Sequence, residues 1–393
     1  MSEVQGAFLL DAVRTPFGRY RGGLSQIRTD DLAALAVAEL VKRQPGLDPG
    51  RVDEVILGNA NGAGEDNRNV ARMAALLAGM PVSVPGTTVN RLCGSGIEAL
   101  IQAGRAIATG EASLCIAGGV EGMSRAPFVL PKPDDALPRS MQLHQSTVGW
   151  RLANPRFPSH WVADLGACAE RVAADLGISR QDQDAWALRS HRLAHAAWES
   201  GRHDDAVMAV NAVRRDESIR PGTSAEALAG LPPAFSADGT VTAGNSSPLN
   251  DGAVAVLVAD EATAAGLGVT PLGRIVASAV AAVEPDRFSI APIPAVRRAL
   301  QRCGRTAESI DLWEINEAFA AMVLATLNGL PEVDPQRVNV NGGAIALGHP
   351  LGASAARAVV DLCRELRARG GGTGVACACI GVGQGIAVIV EVQ

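Results

Sequence analysis

The chain has 393 residues, of which 47% are hydrophobic and 19% charged, and its formal net charge is -6. This length predicts about two to three domains, with enough buried surface that disulfide bonds are not needed for stability. The composition excludes a largely disordered chain, and the lack of any block of basic residues argues against a nucleic-acid-binding protein.

Cysteine usage and hydropathy indicate where the protein works. Seven cysteines, an odd number, are spread over the sequence without the dense spacing of a secreted disulfide framework. The first residues, MSEVQGAFLLDAVRTPFGRY, contain no basic segment followed by a long apolar run, and about 18 uninterrupted apolar residues occur nowhere. We therefore expect a cytoplasmic protein that does not bind a membrane.

The first predicted elements alternate between strand and helix. VDEVILGNA (52–60) predicts a buried strand, NVARMAALLAG (69–79) a helix, and SLCIAGGV (113–120) a second strand. Alternation of this kind predicts an α/β protein built from strand-helix units around a largely parallel sheet.

A candidate nucleophile lies between these elements. VNRLCGSGIEAL (89–100) places Cys93 before a predicted turn at 94–96 and a predicted helix over 97–106. Unpaired N–H groups and the positive dipole end at a helix N-terminus favour a thiolate, so this interpretation predicts a lowered pKa for Cys93. A buried, inert core cysteine is the alternative, and the local sequence favours that alternative.

Residues 121–248 differ in kind from both flanking regions. They contain the proline-rich stretches APFVLPKPDDALPRS and LANPRFPSHW, and an amphipathic helix predicted over 179–198 with Ser179 as its N-cap. We interpret this region as an inserted domain that covers the rest of the chain and builds a binding mouth.

The C-terminal region repeats the order of the N-terminal region. IDLWEINEAF (310–319) resembles VDEVILGNA, and residues 352–383 repeat the pattern of residues 94–122: small-residue turn, helix, glycine, strand and glycine pair. The repeat predicts two similar α/β halves, each of which brings one turn-helix element to a shared site. The predicted halves are residues 1–120 plus 249–271, and residues 272–393.

Two further segments offer chemistry that would complement Cys93. His349, in GHPLGAS, occupies the equivalent turn of the second half, where it could act as the base for the nucleophile. Cys379, in ACACIGVGQGIA, precedes alternating glycines whose backbone N–H groups could form an oxyanion hole. A metal or redox pair of Cys377 and Cys379 is a weaker alternative, because no second cysteine pair or histidine cluster supplies further ligands.

Together these segments resemble the thiolase family, and the resemblance covers essentially the whole chain. It implies a five-layer α-β-α-β-α fold of two duplicated halves with an inserted loop domain. It also implies acyl transfer between coenzyme A thioesters, by cleavage of a 3-ketoacyl-CoA or by the reverse Claisen condensation. The motifs are VRTPFGRY (13–20), GEDNRNVAR (64–72), NRLCGSG (90–96), AGGVEGMSRAPF (117–128), VTAGNSSPLNDGA (241–253), NEAFA (316–320), NVNGGAIALGHPLGASAAR (339–357) and CIGVGQG (379–385).

The resemblance also implies catalytic roles, residue by residue. Cys93 would be the nucleophile that takes the acyl group, and His349 would activate it and help polarise the thioester oxygen. Cys379 would move the α-proton of acetyl-CoA as the acid/base. Asn316 would position a water that faces the first oxyanion, and the N–H groups of Cys93 and Gly381 would hold the oxygen of the tetrahedral intermediate. From the sequence pattern without the resemblance, Asn316 is as well explained as a strand-end turn residue.

The same resemblance implies a coenzyme A site with three parts. One residue would lie near the nucleotide, two along the pantetheine arm, and three in the wall of the tunnel. In that order, the residues are Arg220; Phe235 and Ser247; and Ala243, Ala318 and Phe319. For Arg220, a solvated surface arginine is the alternative interpretation.

Two positions depart from the family's pattern at the expected acyl pocket. Phe288, in RFSIAPIPA, lies where many thiolases have a Met-Gly pair, and Leu165, in ADLGACAE, lies where they have a His-Met-Gly or Met-Pro-Glu segment. Both residues would reshape the pocket, so the acyl-chain length cannot be carried over from relatives. The stretch before Arg220, where the resemblance implies adenine contacts, is also shorter than usual.

Thioester exchange of this kind requires neither a metal nor a redox cofactor, since coenzyme A and acetyl-CoA are substrates. The expected partners are CoA thioesters and further copies of the chain, in a dimer or tetramer. Our first hypothesis for the substrate is a short or medium 3-ketoacyl-CoA. The second is 3-oxoadipyl-CoA, because residues 64–96 look especially like thiolases of aromatic catabolism.

Two alternatives belong to other functional classes. A ketoacyl synthase on the same fold would generally carry a second catalytic His or an Asn in place of the Cys379 and NEAFA pattern. A non-catalytic lipid- or CoA-binding homologue would be expected to lack Cys93, His349 or Cys379, and this chain has all three.

Overall fold

The computed structural model describes residues 6–393, and β-strands from both ends of this range meet in one sheet. The strands of the described chain are β1 (Ala7–Arg14), β2 (Gly18–Arg19), β3 (Glu54–Gly58), β4 (Gly86–Val89), β5 (Leu114–Gly122), β6 (Phe128–Val129), β7 (His144–Gln145), β8 (Asn250–Ala259), β9 (Gly273–Ala282), β10 (Leu312–Ile315), β11 (Gly372–Ile380) and β12 (Gln384–Val392).

Helices connect most of these strands. They are α1 (Thr29–Lys42), α2 (Val70–Leu77), α3 (Ser95–Thr109), α4 (Leu165–Asp175), α5 (Arg180–Glu199), α6 (Ala225–Ala229), α7 (Glu261–Leu267), α8 (Pro292–Cys303), α9 (Ala320–Asn328), α10 (Ala344–Leu347) and α11 (Leu351–Ala368). Within residues 6–393, no helix is both long and apolar enough to cross a membrane.

The large sheet has the strand order β10-β11-β12-β9-β1-β8-β5-β3-β4, with β2 attached to β8. The pairs β3–β4, β3–β5 and β10–β11 are parallel, as the strand-helix alternation predicts, whereas the central pairs are antiparallel. Residues 7–9 of β1 pair with residues 273–275 of β9 and so join two half-sheets. β6 and β7 form a separate two-stranded sheet.

Helices and half-sheets stack in five layers. α1 and α2 pack on the outer face of the half-sheet that contains β3, β5 and β8. α3 and α11 lie together between the two half-sheets, and α8 and α9 cover the outer face of the half-sheet that contains β11 and β12. This arrangement confirms the predicted α-β-α-β-α fold.

Local predictions hold where the sequence pattern is strong. The predicted strands at 52–60 and 113–120 correspond to β3 and β5, and the predicted helix at 69–79 to α2. The Ser179 hydroxyl accepts the Asp182 N–H at the start of α5, which confirms the predicted N-cap.

The predicted turn before the Cys93 helix is wrong. α3 begins at Ser95, so residues 95 and 96 are helical and the turn lies two residues earlier, at Leu92–Gly94. The reason is the Ser95 side chain, whose hydroxyl accepts the Arg91 N–H at 2.8 Å and donates to the Leu92 carbonyl at 2.6 Å. These two hydrogen bonds satisfy backbone groups at the turn, so the chain enters the helix directly.

Candidate active site

The two candidate turns come together because the central helices touch at glycines. A Cβ atom on Gly96 of α3 would lie 2.7 Å from the backbone nitrogen of Ala356 in α11. A Cβ atom on Gly352, in the first turn of α11, would collide with the Val120 carbonyl oxygen. Glycine therefore permits an approach that any other residue would obstruct, and the N-termini of α3 and α11 lie side by side.

Cys93 occupies the short helical turn in front of α3 and is only 6% exposed. Its own backbone N–H and that of Gly381 both act on its sulfur and favour the thiolate. Gly381 belongs to the loop between β11 and β12, which the second half of the chain contributes. The nucleophile predicted from one half is thus in contact with a predicted oxyanion-hole residue from the other.

Cys379 is fully buried near the end of β11. Burial raises the pKa of its thiol well above the usual value, and the proximity of Cys93 and Cys377 raises this pKa further. Cys377 and Cys379 share one face of β11, as predicted, and within residues 6–393 no group of three or more His, Cys, Asp or Glu residues could hold a metal ion.

His349 is held in one orientation directly before α11. Its backbone N–H donates to Asn250 Oδ1 at 2.9 Å, and its ring Nδ1 lies 2.6 Å from Ser354 Oγ and 3.5 Å from Asn316 Nδ2. Burial, and after it the charge of Arg357, lowers the pKa of His349 to about 4, so the imidazole is neutral at pH 7. The ring is therefore a neutral base fixed through one nitrogen.

Two polar atoms of this site are buried without a hydrogen-bond partner among the described residues. They are His349 Nε2 and Asn316 Oδ1. Asn316 follows β10, and its backbone N–H donates to the Cys377 carbonyl at 2.9 Å, so its position depends on the strand that carries the second thiol. Because buried polar atoms are rarely left unpaired, these two atoms mark where a substrate oxygen or a water would bind.

The predicted lowering of the Cys93 pKa is wrong. Burial raises the pKa of the Cys93 thiol to about 11, although the N–H groups of Gly381 and Cys93 act in the opposite direction. The loss of solvent around the sulfur outweighs the stabilisation that a helix N-terminus supplies. The resting site therefore contains a protonated thiol and a neutral imidazole.

Sequence interpretation missed Glu121, which connects the two halves beneath the site. Its buried carboxylate accepts hydrogen bonds from the N–H groups of Ala60 at 2.9 Å, Asn61 at 3.1 Å and Gly352 at 3.0 Å. Burial raises its pKa to about 7. The signal was a single carboxylate in the otherwise apolar β5 sequence. Ser354, which fixes the His349 ring, was missed because hydroxyls are common in helices.

Phe319 and four other residues predicted for the coenzyme A site and the acyl pocket lie close together. The Phe319 ring makes edge contacts with Phe235, at a centroid distance of 6.0 Å, and with Phe288, at 6.3 Å. Beside them, the Ser247 N–H donates to the Ala318 carbonyl at 3.0 Å. Phe235 is 40% exposed whereas Phe288 is 1% exposed, so the cluster runs from the surface into the core.

The remaining predicted binding residues lie on three separate elements. Leu165 is the first residue of α4 and packs against the same core cluster as Phe288. Arg220 is exposed, and its backbone N–H donates to Nδ1 of His191 on α5 at 3.2 Å. Ala243 is also exposed.

The assembled groups suit acyl transfer through a thioester. One thiol could attack a carbonyl, a neutral imidazole could take its proton, and paired N–H groups could stabilise an oxyanion. A second thiol close to the first could give or take a proton at the carbon next to the carbonyl.

Two family models cover nearly the whole chain. The model for "Thiolase, N-terminal domain" matches residues 7–262, and that for "Thiolase, C-terminal domain" matches residues 269–392.

Individual relatives match the chain in sequence over nearly their full length. The chain is 51% identical to the 3-oxoadipyl-CoA/3-oxo-5,6-dehydrosuberyl-CoA thiolase of Escherichia coli K12, over 98% of this chain and 99% of the relative. It is 44% identical to an acetyl-CoA acetyltransferase of Pseudomonas aeruginosa, over 93% and 94%. The crystal structure of human mitochondrial 3-ketoacyl-CoA thiolase in complex with CoA superimposes with a TM-score of 0.92 at 38% identity, over 100% of this chain and 99% of that one.

Proposed function

The chain belongs to the thiolase family and is an acyltransferase that acts on CoA thioesters, and from this premise we propose that it cleaves 3-oxoadipyl-CoA to acetyl-CoA and succinyl-CoA. The observation that carries this proposal is the level of identity. Relatives named for 3-oxoadipyl-CoA or beta-ketoadipyl-CoA are 47% to 51% identical over at least 93% of the chain. The acetyl-CoA acetyltransferase at 44% supports a short or medium 3-ketoacyl-CoA as the second candidate.

In the first half-reaction, the Cys93 thiol attacks the C3 carbonyl while His349 Nε2 takes its proton. The protonated ring then donates to the new oxyanion, with a water on Asn316. The C2–C3 bond breaks, its electron pair stays on C2, and the Cys379 thiol supplies the proton that completes acetyl-CoA. Support comes from the neutral His349, its unpartnered Nε2, and the proximity of the two thiols.

In the second half-reaction, coenzyme A removes the acyl group from Cys93. The CoA thiol gives its proton to the Cys379 thiolate and attacks the acyl-Cys93 carbonyl. The N–H groups of Cys93 and Gly381 hold the oxyanion, and Cys93 leaves as a thiolate that regains its proton from His349. The action of both N–H groups on the Cys93 sulfur supports this assignment.

Coenzyme A would reach Cys93 along the aromatic cluster, with Arg220 near the nucleotide and Ala243 in the tunnel wall. Phe235 and Ser247 would contact the pantetheine arm, and Leu165 and Phe288 would line the acyl pocket. Phe235 has a much larger exposed fraction than Phe288, which supports a path that leads from the surface inward. We also propose that the chain divides into three parts: residues 1–120 plus 249–271, inserted residues 121–248, and residues 272–393.

The test is steady-state thiolysis of acetoacetyl-, 3-ketohexanoyl- and 3-oxoadipyl-CoA by the purified protein. We expect kcat/KM to be highest for 3-oxoadipyl-CoA, by about tenfold or more, and Cys93→Ala to be inactive on all three. A flat profile would overturn both candidate substrates, and thiolysis by Cys93→Ala would overturn the acyl-Cys93 intermediate.

The chain would work in the cytoplasm as a homo-oligomer. All seven cysteines are free thiols, which fits a reducing compartment. The edge strand β4 pairs only with β3 among the described residues, so its other side could pair with a second copy. A mass from light scattering would distinguish monomer, dimer and tetramer.

A further inference from the structure

Arg151 places a positive charge beside the candidate active site. It lies in the segment that follows β7, and it is half-buried. Its Nη2 donates to the backbone oxygen and to the side-chain oxygen of Asn61, each at 3.2 Å. Asn61 in turn donates its own N–H to Glu121, beneath the site.

The Asn61 loop is attached to the Cys93 turn. The backbone oxygen of Ala60, the residue before Asn61, accepts a hydrogen bond from Asn90 Nδ2 at 2.9 Å. Asn90 lies three residues before Cys93 in the chain. Arg151 is therefore bonded to the loop that supports the nucleophile.

The residue before Arg151 contacts the other side of the same site. If Gly381 carried a Cβ atom, that atom would lie 2.9 Å from Cη2 of the Trp150 ring and 3.5 Å from the Leu92 side chain. Trp150 therefore packs against the Gly381 backbone and beside the residue that precedes Cys93. Two neighbouring residues therefore contact both sides of the site: Trp150 contacts the Gly381 loop, and Arg151 contacts the Asn61 loop.

The charge of Arg151 is not neutralised by any carboxylate of residues 6–393 within ion-pair distance, whereas two other arginines around the site are neutralised. Arg91 pairs with Glu98 at 2.8 Å, and Arg125 pairs with Glu65. In Arg151, Nη2 holds the guanidinium in place, while Nε and Nη1 have no hydrogen-bond partner among the described residues. A positioned guanidinium with unused donors is suited to bind a carboxylate.

We propose that Arg151 binds the terminal carboxylate of a dicarboxylic 3-oxoacyl-CoA, and that this contact sets the preference for such substrates over apolar ones. The inference rests on the proposed cleavage of 3-oxoadipyl-CoA. In the succinyl group that would remain on Cys93, two methylenes separate the thioester carbonyl from the free carboxylate. Trp150 covers those methylenes, and Arg151, the next residue, meets the charge.

The test compares two substrates of equal chain length, 3-oxoadipyl-CoA and 3-ketohexanoyl-CoA, which differ in having a carboxylate or a methyl group at the far end. Arg151→Met should lower kcat/KM for 3-oxoadipyl-CoA by about 10- to 100-fold and leave that for 3-ketohexanoyl-CoA within about threefold. Arg151→Lys, which keeps the charge but not the fork of donors, should recover part of the loss.

Arg156→Met is the matched control. Arg156 lies on the same segment and is exposed, and among residues 6–393 it forms hydrogen bonds with Asn154 alone. The ratio of the two kcat/KM values should therefore not change. Activity of Arg151→Met on 3-ketohexanoyl-CoA also shows that this variant is folded.

The outcomes separate this inference from the proposed function. A wild-type protein without preference for 3-oxoadipyl-CoA overturns both. A wild-type preference that Arg151→Met retains overturns only the role of Arg151. Equal losses by Arg151→Met on both substrates would give Arg151 a purely structural role and would also overturn the inference.

Discussion

Two buried thiols lie close together, and a charge on Cys93 influences the ionisation of Cys379. Burial raises the pKa of Cys379, and the neighbouring Cys93 raises it further, because two thiolates at this distance would repel. The site therefore favours at most one negative sulfur at a time. Alternation of the negative charge between nucleophile and acid/base is what the two half-reactions require.

Because Cys93 and Cys379 have separate roles, Cys379→Ala should abolish proton transfer without abolishing acylation of Cys93. In the variant, the rate at which the α-protons of acetyl-CoA exchange with D2O should fall by at least about 100-fold, because the acid/base is absent. Acetylation of Cys93 by acetyl-CoA, followed by mass spectrometry, should still occur, since the nucleophile and His349 remain. Cys377→Ala, on the same face of β11, is the control and should retain exchange. Exchange that persists in Cys379→Ala would assign the proton transfer to another group.

At the scale of elements, Glu317 connects helix α5 to the loop and helix before His349. Its Oε1 accepts hydrogen bonds from Trp186 Nε1 and Asn339 Nδ2, each at 2.9 Å. Its Oε2 accepts from Ser190 Oγ at 2.6 Å and from the Ile345 N–H at 3.1 Å. One buried carboxylate thus satisfies donors on three segments, directly beside the catalytic candidate in NEAFA.

Glu317→Gln should lower the free energy of unfolding by about 2–4 kcal/mol. The amide replaces one acceptor oxygen by a donor, so two of the four hydrogen bonds are lost and buried donors face an NH2 group. Urea denaturation at neutral pH measures the change. Glu199→Gln, at the exposed end of α5, removes only a surface pair with Arg215 and should change the same quantity by less than about 0.5 kcal/mol. Equal effects of the two substitutions would contradict this role of Glu317.

The sequence predicts elements that depend on neighbouring residues, but not the contacts between distant segments. β3, α2 and the Ser179 cap depend on residues a few positions apart, and their patterns predicted them. The pairing of residues 7–9 with residues 273–275 depends on distant segments, and no local pattern encodes it. The predicted direction of the Cys93 pKa shift was wrong for a related reason. The position of Cys93 before a helix is local information, but the burial that dominates its pKa depends on segments far apart in the chain.

At the scale of the whole molecule, a buried ion pair connects Asp216 to Arg14, at the end of β1. Asp216 accepts hydrogen bonds from the Arg14 guanidinium at 2.7 and 2.8 Å and from the Phe17 N–H at 2.7 Å. Burial acts to raise the pKa of Asp216, but the charge and hydrogen bonds of Arg14 outweigh it, and the pKa is lowered. A carboxylate of this kind stabilises the fold above its unfolded pKa, and the contribution is lost as the pH falls through the folded pKa.

His191 provides a separate source of acid sensitivity, at the contact between α5 and Arg220. Burial, and then the charge of Arg220, lowers the pKa of His191 from an ordinary value of 6.5 to about 4. The folded protein therefore favours the neutral ring. The resulting stabilisation is fully present above about pH 6.5 and is lost as the pH falls towards 4.

His191→Asn should remove this pH dependence, because the Asn amide oxygen can still accept the Arg220 N–H but cannot be protonated. The free energy of unfolding of the wild type, minus that of the variant, should fall by about 2 kcal/mol between pH 7 and pH 5. Urea titrations of both proteins at the two pH values measure it. If the difference for His191→Asn is constant between the two pH values, His191 is protonated as readily in the folded chain as in the unfolded one, and the acid sensitivity of the molecule belongs to its other buried groups.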